Sequence, residues 1–354
     1  ATTLSSAPLI YFNHSKRSIE ATWKYLLVGS VGIALALLGT FFLAYSSIRE
    51  GAKATMQFEL LLKNAPLLSK SWLQAAFILL IIGYGTKMGL APMHTWKPDA
   101  YGEAPGVVGA LLAGCITSCA FLAFSRVYQI CGAAGLRDGS SGILVFMGLL
   151  SMLVAGIFMM NQRDFKRMLA YSSVEHMGIL VLGLGIGKTA LFGTILHVLT
   201  NGMTKGLLFL SAANIHRAYS SKRTEEVRGA LRRVPWSAVL FLCGFFAITG
   251  TPPFGPFVSE FAILKGALDG GVFLAAGGLL LLLMLVYIGM GKTVFTVVHG
   301  RVPHGVSASD YRESFLTIVP VLAFLALVLL LGIWIPAPLQ EMLTAAASFL
   351  ENTP

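Results

Sequence analysis

Residues 83–102 read GYGTKMGLAPMHTWKPDAYG. The stretch opens as the tail of an apolar helix, yet it carries Lys87, His94, Lys97 and Asp99 around two prolines, with Glu103 just beyond. A charge at bilayer depth costs about 2.5–3.5 kcal/mol on insertion scales, so Lys87 asks for a partner, a cavity or a function. Pro92 and Pro98 each remove a backbone donor and are expected to bend or stop the helix. Irregular backbone at membrane depth persists only where protein or a wet cavity surrounds it. The stretch therefore reads as a broken membrane helix with a lysine beside the break.

The rest of the chain fits that setting. Of 354 residues, 56% are hydrophobic and 12% charged, and the mean hydropathy is +0.76. Soluble domains carry about twice that charged fraction, and a large soluble core would need a polar shell for which this chain has too few residues. The apolar residues lie in long runs, which makes them membrane-helix candidates. The expected fold is all-α and polytopic, because lipid tolerates no unpaired backbone groups. The candidate spans are roughly 21–45, 71–93, 105–131, 141–160, 168–187, 190–214, 235–264, 271–298 and 313–335.

A second break is expected at AITGTPPFGPFVSEFAIL (247–264), where Gly250, Pro252, Pro253, Gly255 and Pro256 disfavour a continuous helix. Paired broken helices recur in ion-moving transporters. The expected organisation is thus a helix tail at 1–13, two spans with the first discontinuous helix at 14–104, seven further spans at 105–335 with the second at 246–264, and a short tail at 336–354. The connector 46–70 is mixed in charge, with Arg49, Glu50, Lys53, Glu59 and Lys63, and has room for a short surface helix. The opening ATTLSSAPLIYFNHSKR has no initiator methionine and no signal-peptide pattern, so the chain is expected to start part-way through a helix.

Net charge is +10. The positives cluster in short loops rather than in a nucleic-acid-binding patch. Lys16, Arg17, Arg163, Lys166, Arg167 and the basic stretch 217–233 fall on one side, which the positive-inside rule makes cytoplasmic. The C-terminus is then expected outside the cytoplasm. Cys115, Cys119, Cys131 and Cys243 lie in or at the ends of apolar segments with no metal or iron–sulfur spacing. GLGIGK at 183–188 has no preceding strand, so it is no phosphate loop. No cofactor or metal is expected.

Other polar residues stand inside apolar runs. Glu175 and His176 lie in DFKRMLAYSSVEHMG, pointing about 100° apart and each asking for a polar neighbour on another helix. His197, Asn201 and Lys205 recur at helical spacing on one stripe. Glu260 follows the second break. Histidine titrates near working pH, and coupled groups in low dielectric shift one another. Lys87, His94, Glu175, His176, His197, Lys205 and Glu260 are therefore candidates for a proton relay. The alternatives are interfacial anchoring for His94 with Trp96, and interhelical hydrogen bonding for the stripe. Lys292 reads equally well as a snorkelling side chain.

GTKMGLAPMHTWKPDAYGEAP, DFKRMLAYSSVEHMGI, TKGLLFLSAANI and the segment 225–264 together resemble the antiporter-like membrane subunits shared by respiratory complex I, multisubunit cation/proton antiporters and membrane-bound hydrogenases. AYSSVEHMGI and PPFGPFVSEF most resemble the large subunit of hydrogenase-4 and formate hydrogenlyase type complexes. The resemblance implies an inverted-repeat bundle with two discontinuous helices. It also implies proton or sodium transport driven by redox partner subunits, without a redox centre of its own, in a prokaryotic cytoplasmic membrane. It makes Lys87 the central lysine, places His197 and Lys205 in the connecting helix, and puts Glu260 at the exit. It further implies a glutamate partner for Lys87 that would fall just before Ala1. Many relatives carry a histidine in the helix after the first break; VVGALLAGCITS has none. The rival readings are a structural membrane-arm subunit without transport and a stand-alone cation/proton antiporter.

Overall fold

The computed structural model describes residues 2–48, 55–302 and 309–351. Arg49, Glu50 and Lys53 of the charged connector lie outside them. The described residues are helical, with no strand among them; one isolated bridge joins Asp164 and Arg223.

In chain order the helices are α1 (Thr2–Ile10), α2 (Lys16–Ile48), α3 (Phe58–Lys63), α4 (Lys70–Met88), α5 (Lys97–Glu103), α6 (Gly106–Leu111), α7 (Thr117–Ala133), α8 (Arg137–Met160), α9 (Phe165–Ile186), α10 (Ala190–Tyr219), α11 (Ala230–Arg233), α12 (Pro235–Ile248), α13 (Gly255–Asp269), α14 (Phe273–Val298), α15 (Phe315–Ile333) and α16 (Ala337–Glu351). A π-helical turn, Leu112–Ile116, joins α6 to α7 into one long rod. Among the described residues six helices are long and apolar enough to cross a membrane: α2, the α6–α7 rod, α8, α9, α14 and α15. The helices α4, α10 and α12–α13, which carry the breaks or the polar stripe, occupy the other three expected spans.

Local chemistry sets the ends. Asp164 caps α9 by accepting from the backbone N–H groups of Lys166 and Arg167. Ser314 and Thr317 form a reciprocal capping box on α15. Pro235 and Pro256 sit in the first turns of α12 and α13, where a missing N–H costs nothing. Pro98 does the same for α5, so it starts a helix rather than stopping one as expected. The tail after Pro336 carries α16, whose Leu343 and Ala347 are buried.

Helix α9 is the centre of the bundle, with almost every residue buried. Helices α8, α5 and α10 pack against it. One apolar cluster around Tyr25, Trp96, Tyr101, Phe209 and Phe245 takes in the first half of α9, from Phe165 to Val174. A second, around Phe77, Phe124, Met177 and Leu191, takes in the following stretch from Met177 to Leu184. The peripheral helices turn large apolar side chains outward, among them Trp23, Leu27 and Phe41 of α2 and Phe315, Leu316 and Ile333 of α15. In water such faces would be a liability, whereas in lipid they are the solvated surface.

Candidate functional site

At the first break, α4 ends on Gly89 in the left-handed region, φ 76°. Its N–H bonds Gly85 O at 2.8 Å, and Leu90 N–H bonds the same oxygen at 2.8 Å. Two other carbonyls of the last turn take side chains from beyond the break. Trp96 Nε1 donates to Thr86 O at 2.9 Å, and Lys97 Nζ donates to Met88 O at 2.5 Å. Ala91 N–H, inside the break, donates to Ser151 Oγ of α8 at 3.0 Å. Open backbone is thus satisfied by protein, as membrane depth requires. The Ala91–Pro92 peptide bond is cis.

Half-buried Lys87 points back toward α1 and α2. Its Nζ donates to Thr3 Oγ1 at 3.0 Å and to the Tyr25 hydroxyl at 3.1 Å, and it stands 5.1 Å from the Tyr25 ring centre. Among the described residues Lys87 has no ion-pair partner. His94 does not join it. That ring packs near Phe158 and Tyr171, 6.3 and 6.2 Å away between centres.

At the second break, α12 is followed by Thr249 and by Gly250 at φ 63°, and Thr251 N–H bonds Phe246 O at 3.0 Å. Pro252–Pro253 is cis. The Glu260 carboxylate returns from α13 to lie over Gly250: a Cβ there would stand 2.1 Å from Glu260 Oε2. Glycine is therefore required twice, for its backbone angle and for its missing side chain.

Between the breaks runs the polar row. Lys205 Nζ of α10 donates to Ser172 Oγ of α9 at 2.6 Å. One turn further along α9, Glu175 Oε2 lies 3.7 Å from His176 Nε2. The other ring nitrogen, Nδ1, stands 2.9 Å from His197 Nε2, with the two rings stacked. His197 Nδ1 meets Ser259 Oγ at 2.8 Å, and Ser259 donates to Pro256 O at 2.9 Å, which supports assigning the donor proton to His197 Nδ1. His176 Nδ1 is 4.0 Å from Glu260 Oε1. Lys205, Glu175, His176, His197 and Glu260 are all buried.

Hydrogen-bonding capacity is left open here. Both Glu175 oxygens, His176 Nε2, Glu260 Oε1 and both polar atoms of Asn201 are buried without a hydrogen-bond partner. Unmatched polar atoms are costly in a packed core, and their concentration in one place makes this cluster the candidate site. The ligand atoms of His176, His197 and Glu260 lie within 4.8 Å of one another. The set resembles a divalent-metal triad in composition. The 2.9 Å contact between the two imidazoles, however, uses a nitrogen lone pair that a metal would need.

Two features escaped the sequence reading. Lys97 is fully buried in the break, donating also to Ser173 O at 3.2 Å and lying 5.6 Å from the Tyr101 ring centre. The visible signal was a lysine directly after an aromatic anchor and before a helix-starting proline. The second feature is acidic. The basic loops are not bare topology signals, because acids answer them around a cavity of about 530 Å³ lined by residues such as Glu20, Lys24, Asp99, Arg167 and Arg223. Asp99 bridges Lys24 and Arg167, each at 2.8 Å, and Lys222 meets Glu103 at 2.5 Å and Asp164 at 3.8 Å. Burial raises the Asp164 carboxyl above the usual carboxylate range, against the pull of Lys222.

The chain is 35% identical to the hydrogenase-4 component F homolog of Methylacidiphilum infernorum, over 96% of this chain and 71% of that protein. It is 33% identical to NADH-quinone oxidoreductase subunit N of Desulforudis audaxviator, over 80% of this chain and 56% of the relative. It is 30% identical to the F(420)H(2) dehydrogenase subunit N of Methanosarcina mazei, over 94% and 68%. The fold matches a chain of the archaeal membrane-bound sulfane sulfur reductase with a TM-score of 0.87 at 22% identity, covering 99% of this chain and 70% of the other. It matches the Mrp complex of Dietzia sp. with a TM-score of 0.81 at 20% identity, covering 96% and 69%. The model of the NADH:quinone oxidoreductase/Mrp antiporter transmembrane family matches residues 1–277. With two broken helices flanking a buried row of lysine, histidine and glutamate, the chain belongs to this family of antiporter-like membrane subunits.

Proposed function

We propose that the chain moves protons within a multi-subunit membrane complex of hydrogenase or NADH dehydrogenase-like type, driven by electron transfer in attached redox subunits. The observation that carries this reading is the buried row from Lys205 through Glu175, His176 and His197 to Glu260, held between two helix breaks. Each member gains or loses a proton without leaving its place. Each neighbour's charge then sets the energy of the next transfer, strongly so at low dielectric.

The chemistry favours protons over sodium. A hard cation wants several oxygen ligands, whereas this row is built largely on imidazole and amine nitrogen. Lys87 would act as the switch at one end, Glu260 would pass protons toward the exit, and His94 would serve at the margin. The basic loops would face the cytoplasm of a prokaryotic cell, leaving α16 on the outer side.

The test is Lys205→Ala in the intact complex, with protons translocated per electron measured in sealed membrane vesicles. The expected result is a drop of at least about tenfold in the share carried by this subunit, in an assembled complex. An unchanged ratio would overturn the reading in favour of a purely structural membrane-arm subunit. Sodium dependence in place of proton dependence would favour an antiporter.

A further inference from the structure

We propose that Lys97 is a proton-loading station of the row, the counterpart at the first break of Glu260 at the second. The inference rests on the proton-path reading above and adds a residue to it. Three observations carry it.

The first is placement. At each break a glycine of positive φ follows the leading half-helix, and one ionisable side chain from the trailing half lies over that glycine. A Cβ on Gly89 would stand 2.5 Å from Lys97 Cδ and 3.1 Å from Nζ, as one on Gly250 would stand 2.1 Å from Glu260 Oε2. Both breaks therefore make room for an ionisable group where a methyl would exclude it.

The second is the company Lys97 keeps. The half-buried Lys222, by contrast, meets Glu103 and Asp164 in an ion-paired cluster. Lys97 is fully buried, yet its partners are two neutral carbonyls and an aromatic face. Among the described residues it has no ion pair. An amine so placed is poorly held in either state, which suits a group that loads and releases. A permanent cap on α4 would not need a charge, since Trp96 already supplies a neutral donor one residue away.

The third is continuity. Ser173 O takes Lys97, the adjacent Ser172 Oγ takes Lys205, and His176, one turn on, faces Glu260. Five residues of α9 thus connect both breaks. The hydroxyls of Tyr101 and Ser173 are buried near each other beside Lys97. Tyr25, the partner of Lys87, packs on Trp96 at 5.1 Å, and Trp96 packs on Tyr101 at 6.0 Å. The rod after the first break offers no histidine or lysine in VVGALLAGCITS, and Lys97 supplies an ionisable group in the same gap.

The transfer balances without any redox partner. A proton lost on the Lys87 side forms an N–H bond at neutral Lys97. That bond breaks when the proton passes to the free amine of Lys205, and the proton count over the three lysines is unchanged.

The test uses Lys97→Met and Lys97→Arg in the intact complex, with Lys205→Ala alongside. Assembly, electron-transfer rate and protons per electron are measured for each. Arginine keeps the positive charge and the donors toward Met88 and Ser173 but does not release its proton. The expected result is that both variants lower proton translocation as far as Lys205→Ala does, about tenfold or more, with Lys97→Arg fully assembled. Wild-type translocation in Lys97→Arg would show that a fixed charge suffices and would overturn the proposal, as would wild-type translocation in Lys97→Met. Loss of assembly with arginine in place would make Lys97 a brace and overturn it too. If Lys205→Ala also translocates normally, the proton-path reading itself fails. If only the Lys97 variants do, the failure is confined to this inference.

Discussion

The two broken helices solve one problem with opposite chemistry. Each interrupts a membrane helix at a glycine of positive φ and restarts it beside a proline. At the first, the exposed carbonyl end of α4 attracts donors, so the break is lined by Trp96 and the amine of Lys97. At the second, a carboxylate folds back over the glycine and stands 4.0 Å from the His176 imidazole of α9. The same backbone device thus presents a basic side chain in one half of the bundle and an acidic one in the other. The difference lies in what the trailing half-helix returns to the break.

The comparison can be broken most forcefully at the glycines. Gly250→Ala adds left-handed strain and places Cβ 2.1 Å from Glu260 Oε2. The expected cost is about 2–4 kcal/mol, read as thermal stability in detergent, with loss of proton translocation. Gly89→Ala meets the flexible stem of Lys97 instead, so about 1–2 kcal/mol is expected in the same measurement. A larger loss at Gly89 than at Gly250 would invert the ranking and show that the first break is the tighter one.

Smaller effects sharpen the picture. Ser259→Ala leaves His197 Nδ1 without its partner and costs about 1 kcal/mol. A slowed proton translocation at unchanged assembly would show that the serine orients the imidazole, whereas unchanged translocation would remove it from the row. Least of all, Asp164→Asn preserves the cap on α9 but removes a charge that burial disfavours. The folded carboxyl binds its proton more readily than the unfolded one. Its contribution to stability is therefore full below the unfolded value and lost as pH rises through the raised folded value. The variant should match or slightly exceed wild type at neutral pH, with the difference vanishing toward about pH 4. A variant that is less stable at neutral pH would mean that the ion pair with Lys222 outweighs desolvation.

Much of this was legible in the residues because membranes penalise polarity so heavily. Lys87, Glu175, His176, His197, Lys205 and Glu260 stood out by cost alone, and helical spacing put His197 and Lys205 on one stripe. Two proline-rich interruptions marked the breaks. Lys97 did not stand out, because past a break the helical period restarts and burial is no longer inferable from spacing. The contact between His176 and His197 depends on how α9 and α10 are rotated against each other, which a single sequence does not encode locally. His94 reads as a relay by type, yet it packs among Phe158 and Tyr171. The acids around the basic loops were hidden by distance in the chain, since Glu103 and Lys222 meet only after folding.

Helix α5 deserves a mechanical description as well. Its seven residues form a rod about 10 Å long. One end holds Lys97. At the other, Lys222 grips Gly102 O at 3.0 Å together with the Glu103 carboxylate, and Lys166 grips Ala104 O at 2.6 Å. Lys166 comes from the first turn of α9 and Lys222 from the basic loop after α10. Helix α5 thus places the ion-paired cluster at the bundle's edge and the buried amine at opposite ends of one short helix.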